Sequence, residues 1–193
     1  MGVVYFELSM SLDGFVTGPN ISVDNPLGEG GEHLHDWMFD GKTAEESVEF
    51  EEKVFAPSGA IVMGRRMLDL GIGPWGDNPT FHAPVFVVTN RPHDPIVKEG
   101  GTTYYFVTDG LEAAFELARK AAGSKDIAIV GGADIVRQCL DRGLVEEARL
   151  NLTPILLGSG TRLFEGVDAS NLHFAIARVI EADGVVHLTF RVG

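Results

Sequence analysis

The chain has 193 residues with 28 acidic and 15 basic side chains, a formal net charge of −13, which excludes the basic face that nucleic-acid binding needs and the polybasic patch of a membrane-surface protein. Twelve of the acids and two of the bases fall within residues 1–56, so the rest of the chain is close to balance and any anion site is expected there. At 45% hydrophobic and 22% charged the chain is ordinary globular material, one domain by length, with no apolar run long enough for a membrane span, no signal-peptide pattern at its start, and a lone Cys139 that forbids an intramolecular disulfide and fits a reducing cytoplasm.

Residues 3–9 form a short apolar run that reads as a strand, closed by the turn signal Leu12-Asp13-Gly14. Residues 17–42 are rich in glycine, carry Pro19 and Pro26, and show no period, which predicts a long functional loop. Thr43 and Glu46 have capping-box spacing for a helix over 44–56, which Pro57 ends. Residues 60–63, 85–88, 103–107 and 127–130 read as buried strands rich in β-branched and aromatic side chains. Between them, Asp109 and Glu112 look like an N-cap pair for a helix whose apolar face is Leu111, Ala114, Phe115, Ala118 and Ala122. A second helix opens at Gly131-Gly132, buries Ile135, Val136, Cys139 and Leu140, and ends near Gly143. Residues 146–157 read as a longer strand in which Ala148, Leu150 and Leu152 alternate with Arg149, Asn151 and Thr153. Asp183-Gly184 is a hairpin turn joining strands over 172–181 and 185–192. Strand–helix–strand units imply an α/β fold with a mostly parallel central sheet, to which the closing hairpin adds an antiparallel element.

Three segments share a design in which a buried strand runs into a turn rich in glycine or arginine: Met63-Gly64-Arg65-Arg66-Met67, Val88-Thr89-Asn90-Arg91, and Val130-Gly131-Gly132-Ala133-Asp134-Ile135. Bare glycine backbone at the start of a helix, together with guanidinium groups, suits phosphate. Ligands of open α/β sheets bind outside the carboxyl ends of the strands, so three such turns suit a dinucleotide. Neither the G-x-G-x-x-G fingerprint after the first strand, nor a phosphate loop, nor a G-x-S-x-G elbow is present. His33-x-His35 beside Asp36 is the one metal-like spacing, and its acidic glycine-rich surroundings suit surface histidines better, so no metal is expected.

Ser9-Met10-Ser11-Leu12-Asp13-Gly14, the Gly64-Arg65-Arg66-Met67 turn, the Gly131-Gly132 turn and Pro154-Ile155-Leu156-Leu157-Gly158-Ser159-Gly160, in that order, resemble the dihydrofolate-reductase-like fold. The resemblance is to the reductase domain of the riboflavin-biosynthesis deaminase–reductase and its stand-alone bacterial relatives. It implies a three-layer α/β/α domain spanning the chain and an NADPH-dependent oxidoreductase. The hydride would pass to a small heterocyclic or carbonyl substrate, with 5-amino-6-(5-phosphoribosylamino)uracil reductase-like activity. Pterin reduction, or NADPH binding without turnover, is the alternative. By the same resemblance the cofactor phosphates fall to Gly64, Arg65, Arg66, Met67, Gly131, Gly132, Ala133, Asp134 and Ile135. The 2′-phosphate falls to Thr89, Asn90 and Arg91. Asp13 and Ser9 are the catalytic candidates, with Ser11, Trp37, Leu156, Arg162 and Phe164 on the substrate side. The loop over 17–42 would form a lid, and a homodimer is implied. The chain departs from the riboflavin enzymes in Phe15-Val16 after Asp13-Gly14, and in His35-Asp36-Trp37-Met38-Phe39 where their recognition segment stands.

Overall fold

The structure is a computed structural model that describes residues 2–39 and 58–193. The helix expected over 44–56, with its capping box, lies outside the described residues.

Among the described residues, β1 (Val4–Ser11) runs through the middle of a nine-stranded sheet. It pairs in parallel with β7 (Ile127–Val130) on one side and β8 (Glu147–Thr153) on the other. Beyond β7 the sheet continues in parallel through β3 (Ala60–Gly64), β4 (Pro84–Val88) and β6 (Thr103–Val107), then ends on the short antiparallel β5 (Ile96–Val97). Beyond β8 it ends in the antiparallel hairpin of β11 (Val185–Val192) and β10 (Phe174–Ala182), turned at Asp183-Gly184. The ladder between β10 and β11 shifts register between Ile176 and Arg178, a bulge in the edge strand. Two strands too short to leave a periodic trace, β2 (Phe15–Thr17) and β9 (Thr161–Arg162), pair apart from the main sheet.

The central strands are nearly continuous apolar runs because both of their faces are covered. On one face lie α2 (Leu111–Ala122) and α3 (Ala133–Asp141). Leu111, Ala114, Phe115, Ala118, Val136, Cys139 and Leu140 pack there against Val4, Phe6, Val62, Phe86, Ile127 and Ile129. On the other face α1 (Arg65–Gly71) and the segment after it place Leu68, Met67, Ile72, Trp75 and Phe81 over Tyr5, Ile61, Met63, Val85, Val87 and Tyr104. This is the three-layer α/β/α arrangement, and both predicted helix faces are the buried ones.

Three local expectations change. The N-cap of α2 is Gly110 (φ 96°) with no side-chain cap, and Glu112 instead binds Arg142 Nε at 2.9 Å. The strand expected over 146–157 stops at Thr153, because Pro154 has no N–H for a ladder and the Ile155 carbonyl is taken by Leu12 N–H at 3.0 Å. Within the 17–42 loop, Gly31–Met38 winds into a 3-10 turn that buries Leu34 and Trp37.

Candidate functional site

The sheet order gathers the motif turns. β7, β3 and β4 are consecutive parallel neighbours whose registers set Met63 opposite Val130 and Gly64 opposite Val88. All three therefore end at one edge, and the turns at Gly131, Gly64 and Thr89 stand side by side. β1 and β8 end at the same edge, with Ser11 opposite Thr153. Five adjacent strand ends thus carry every turn singled out in the sequence, at the edge where open α/β sheets bind ligands.

At the β7 end, Gly131 is buried with φ 154°, and a Cβ there would stand 2.9 Å from Ile135 Cγ2. Glycine is required by both conformation and space. Gly132 caps α3 without a side-chain bond, and Ala133 is buried. Ile135 packs against Gly64, binding the first two turns together. Asp134 is exposed and lies 3.8 Å from Arg137, so this turn also carries a negative charge.

At the β3 end, α1 begins directly at Arg65, as expected. Arg65 Nε donates to Asp69 Oδ1 at 2.7 Å, and its guanidinium lies over the Phe106 ring, 5.2 Å from the centroid. Arg66 is exposed and Met67 packs against the core. At the β4 end, Thr89 Oγ1 accepts Arg91 N–H at 3.1 Å, and Arg91 Nη2 donates to Asp69 Oδ2 at 2.9 Å. Asn90 is exposed beside them. Asp69 therefore bridges two arginines from separate turns. It was not among the expected site residues, although its i,i+4 spacing from Arg65 on a short helix is a legible signal.

At the β1 end, Asp13 accepts three hydrogen bonds. Ser11 Oγ donates to Oδ1 at 2.6 Å, and the Gly158 and Leu157 amides donate at 2.7 and 3.2 Å. The Ser11 hydroxyl first, then these amides, lower its pKa to about 2. Asp13 is thus ionised near neutrality, with no proton to give, and it ties the β1 turn to the segment after β8. Ser11 also accepts Phe15 N–H at 3.0 Å. Arg162 donates to the Asp13 carbonyl at 2.7 Å and lies over the Phe15 ring. Leu156 is exposed next to the amides that hold Asp13. Phe164, partly exposed, lies edge-on to Phe174 at 5.7 Å.

Between these ends the sheet face carries a buried polar row. Ser9 on β1, Asn151 on β8 and His187 on β11 are register partners, and all three are buried. Asn151 Nδ2 donates to Glu7 Oε1 at 3.0 Å. A carboxylate only accepts, so the Asn151 oxygen faces His187 Nδ1 at 2.7 Å and that nitrogen carries the proton. Burial lowers the His187 pKa. Trp37, 4% exposed, sets its ring edge-on to His187 at 5.1 Å and donates Nε1–H to the Leu34 carbonyl at 3.0 Å. In this arrangement Trp37 packs the 3-10 turn onto β11. Asn151 and His187 were missed in the sequence because on β8 and β11 they alternate with apolar residues as a half-exposed strand would, and Glu7 because it lies inside the apolar run of β1.

The pair expected to be surface histidines divides. His33 is exposed and bonded to Asp36 at 2.8 Å, whereas His35 is half-buried with its pKa lowered by burial. Among the described residues no group of three His, Cys, Asp or Glu side chains could hold a metal ion, and no helix is long and apolar enough to cross a membrane.

The chain is 26% identical to the YyaP protein of Bacillus subtilis (strain 168) over 202 residues, covering 97% of this chain and 93% of that protein. Among solved structures it is similar to a protein from Shewanella sp. PV-4 assigned to riboflavin biosynthesis, with 22% identity, a TM-score of 0.72 and 99% of each chain covered. It is also similar to the dihydrofolate reductase of Enterococcus faecalis complexed with NADP(H), with 13% identity and a TM-score of 0.55 over 100% of this chain and 97% of that one. The profile of the RibD C-terminal domain matches residues 3–188, from the start of β1 into β11 and across all five strand ends. With these turns on this sheet order, the chain belongs to the RibD C-terminal domain family, a reductase-type family on the dihydrofolate-reductase-like fold.

Proposed function

We propose that the protein is an NADPH-dependent reductase that passes a hydride to a small heterocyclic or carbonyl substrate, of the riboflavin-pathway type. The observation that carries this reading is the alignment of the Gly131, Gly64 and Thr89 turns at three neighbouring strand ends, with Arg65, Arg66 and Arg91 among them. The residues fit the cofactor: bare backbone at Gly131 and Gly132 suits a pyrophosphate, and an arginine at the β4 end suits a 2′-phosphate where an acidic residue would suit a free hydroxyl. Gly64, Arg65, Arg66, Met67, Gly131, Gly132, Ala133, Asp134 and Ile135 would hold the phosphates, and Thr89, Asn90 and Arg91 the 2′-phosphate.

Bound NADPH supplies the hydride, and the protein supplies orientation and electrostatics. Asp13, ionised and anchored, would accept a hydrogen bond from a donor on the substrate and fix its orientation. Ser9 and the polar row on β8 and β11 would form the floor, and Ser11, Trp37, Leu156 and Arg162 the surroundings. A second reading, NADPH binding without turnover, draws on one observation: the Asp13 carboxylate is unprotonated and already holds three donors.

A second copy of the chain is the expected partner. β10 is an edge strand that exposes Phe174, Ile176 and Val179. Cys139, buried with its thiol pushed up to about 12 by burial, suits a reducing compartment, and we read the protein as cytoplasmic.

The test is a melting series with NADPH and NADH, followed by NADPH oxidation against pyrimidine, pteridine and carbonyl substrates. Ligand binding to the native state raises the melting temperature. NADPH should stabilise more than NADH, and Arg91→Ala should narrow the difference. Equal stabilisation of the unmutated protein refutes the NADPH preference, and no stabilisation by either refutes both readings. Turnover that Asp13→Asn abolishes, with NADPH binding kept, favours the reductase over the binding protein.

A further inference from the structure

The Asp69 bridge is the one part of the phosphate end that the motifs do not explain. Both of its carboxylate oxygens are engaged, Oδ1 by Arg65 Nε at 2.7 Å and Oδ2 by Arg91 Nη2 at 2.9 Å, Arg91 lying 22 residues further along the chain. Two guanidinium groups closing on two oxygens of one anion is also the way a phosphate is held. The arms differ in freedom. The Arg65 side chain is 24% exposed and rests on the Phe106 ring, whereas that of Arg91 is 64% exposed. Asp69 itself is 40% exposed, so an anion can reach the pair from solvent.

We propose that Asp69 is an internal substitute for the cofactor's 2′-phosphate and thereby sets the margin between NADPH and NADH. This rests on the NADPH reading above. With no phosphate present, the carboxylate occupies the donors of both arginines that a phosphate would need. When a 2′-phosphate binds, it displaces Asp69 from Arg91 and meets a residual negative charge close by. The same charge does not penalise a 2′-hydroxyl, which can donate to it. Asp69 thus tunes specificity by competing with the 2′-phosphate for the arginines and by its own charge. The repulsion of a dianion by one charge at about 6 Å, in water and at physiological salt, corresponds to a three- to tenfold loss of affinity.

The experiment titrates the full chain with NADPH, NADH, adenosine 2′,5′-bisphosphate and adenosine 5′-phosphate. The wild type is compared with Asp69→Asn and Asp69→Ser, each checked for folding by its melting curve, and with the charge-retaining Asp69→Glu. The expected result is that both neutral variants bind NADPH and the 2′,5′-bisphosphate about three- to tenfold more tightly while NADH and the 5′-phosphate change less than twofold, and that Asp69→Glu stays near wild type. If the wild type prefers NADPH but the neutral variants bind it no more tightly, or tighten NADH equally, the role of Asp69 is refuted and the NADPH reading stands. If the wild type binds neither dinucleotide, the reading and the inference fall together.

Discussion

Gly131 is where conformation, packing and the candidate site meet, so Gly131→Ala is the sharpest perturbation available. The new Cβ would stand 2.9 Å from Ile135 Cγ2, while ordinary contacts begin at 3.4 Å, so about 0.5 Å must be found within a buried turn. The backbone φ of 154° adds strain of its own for a residue with a side chain. Conformational strain of this kind costs about 1–3 kcal/mol and overpacking about 1–3 kcal/mol, so we expect a loss of roughly 2–6 kcal/mol. For a chain of this length that lowers the melting temperature by roughly 4–24 °C. The two contributions separate in a double-mutant cycle with Ile135→Leu, which removes the β-branch that carries Cγ2 and keeps the volume. Urea denaturation of the four proteins should give a coupling of about 1–2 kcal/mol in the stabilising direction, the remaining loss being backbone strain. In parallel, NADPH affinity should fall in Gly131→Ala and recover in part with Ile135→Leu. A coupling indistinguishable from zero would show that the Ile135 contact is not what excludes a side chain at this position.

Two predictions concern pH. Asp13 has its pKa lowered from 3.8 to about 2 by the Ser11 hydroxyl and the Gly158 and Leu157 amides, so the stability it contributes is complete above about 3.8 and is lost as pH falls toward about 2. The gap in urea midpoint between wild type and Asp13→Asn should therefore be constant near neutrality and close across that acid window, and a gap unchanged at pH 2 would contradict the hydrogen-bond account. His35 and His187 have pKa values lowered by burial, so they resist protonation in the folded state, and stability should decline as pH drops below about 6.5. His33, raised first by its bond to Asp36, acts in the opposite sense, so the decline should steepen in His33→Asn; a flat profile in that variant would refute the burial argument.

Much of this was legible in the sequence because it depends on period. The faces of α2 and α3 follow from spacings of three and four, and β3, β4, β6 and β7 from short apolar runs, since both sheet faces are covered. The turns at Gly64, Thr89 and Gly131 were visible because glycine and arginine after a buried strand are chemically conspicuous. Their adjacency was not visible, since the order β7-β3-β4 is a property of crossovers. The polar row escaped for a different reason. Asn151 and His187 alternate with apolar residues as an exposed strand face would, and the 3-10 turn carrying Trp37, far away in sequence, lies against that face. Asp109 misled because a capping side chain and a glycine with positive φ compete for the same terminus, and Gly110 holds it.

The bulge between Ile176 and Arg178 governs what an edge strand such as β10 can become. A long, regular edge is a template on which further chains can add without limit. A bulge rotates the strand partway along and breaks the row of main-chain donors and acceptors into shorter stretches. Glu181 interrupts the row begun by Ile176 and Val179, and Arg178 charges the other side of the strand. Copies that meet here would gain most in an isologous, self-terminating pair, because an open-ended stack would have to propagate through the misaligned stretch. Straightening β10 by deleting one residue at the bulge would thus favour open-ended addition over a closed pair wherever copies meet at this edge.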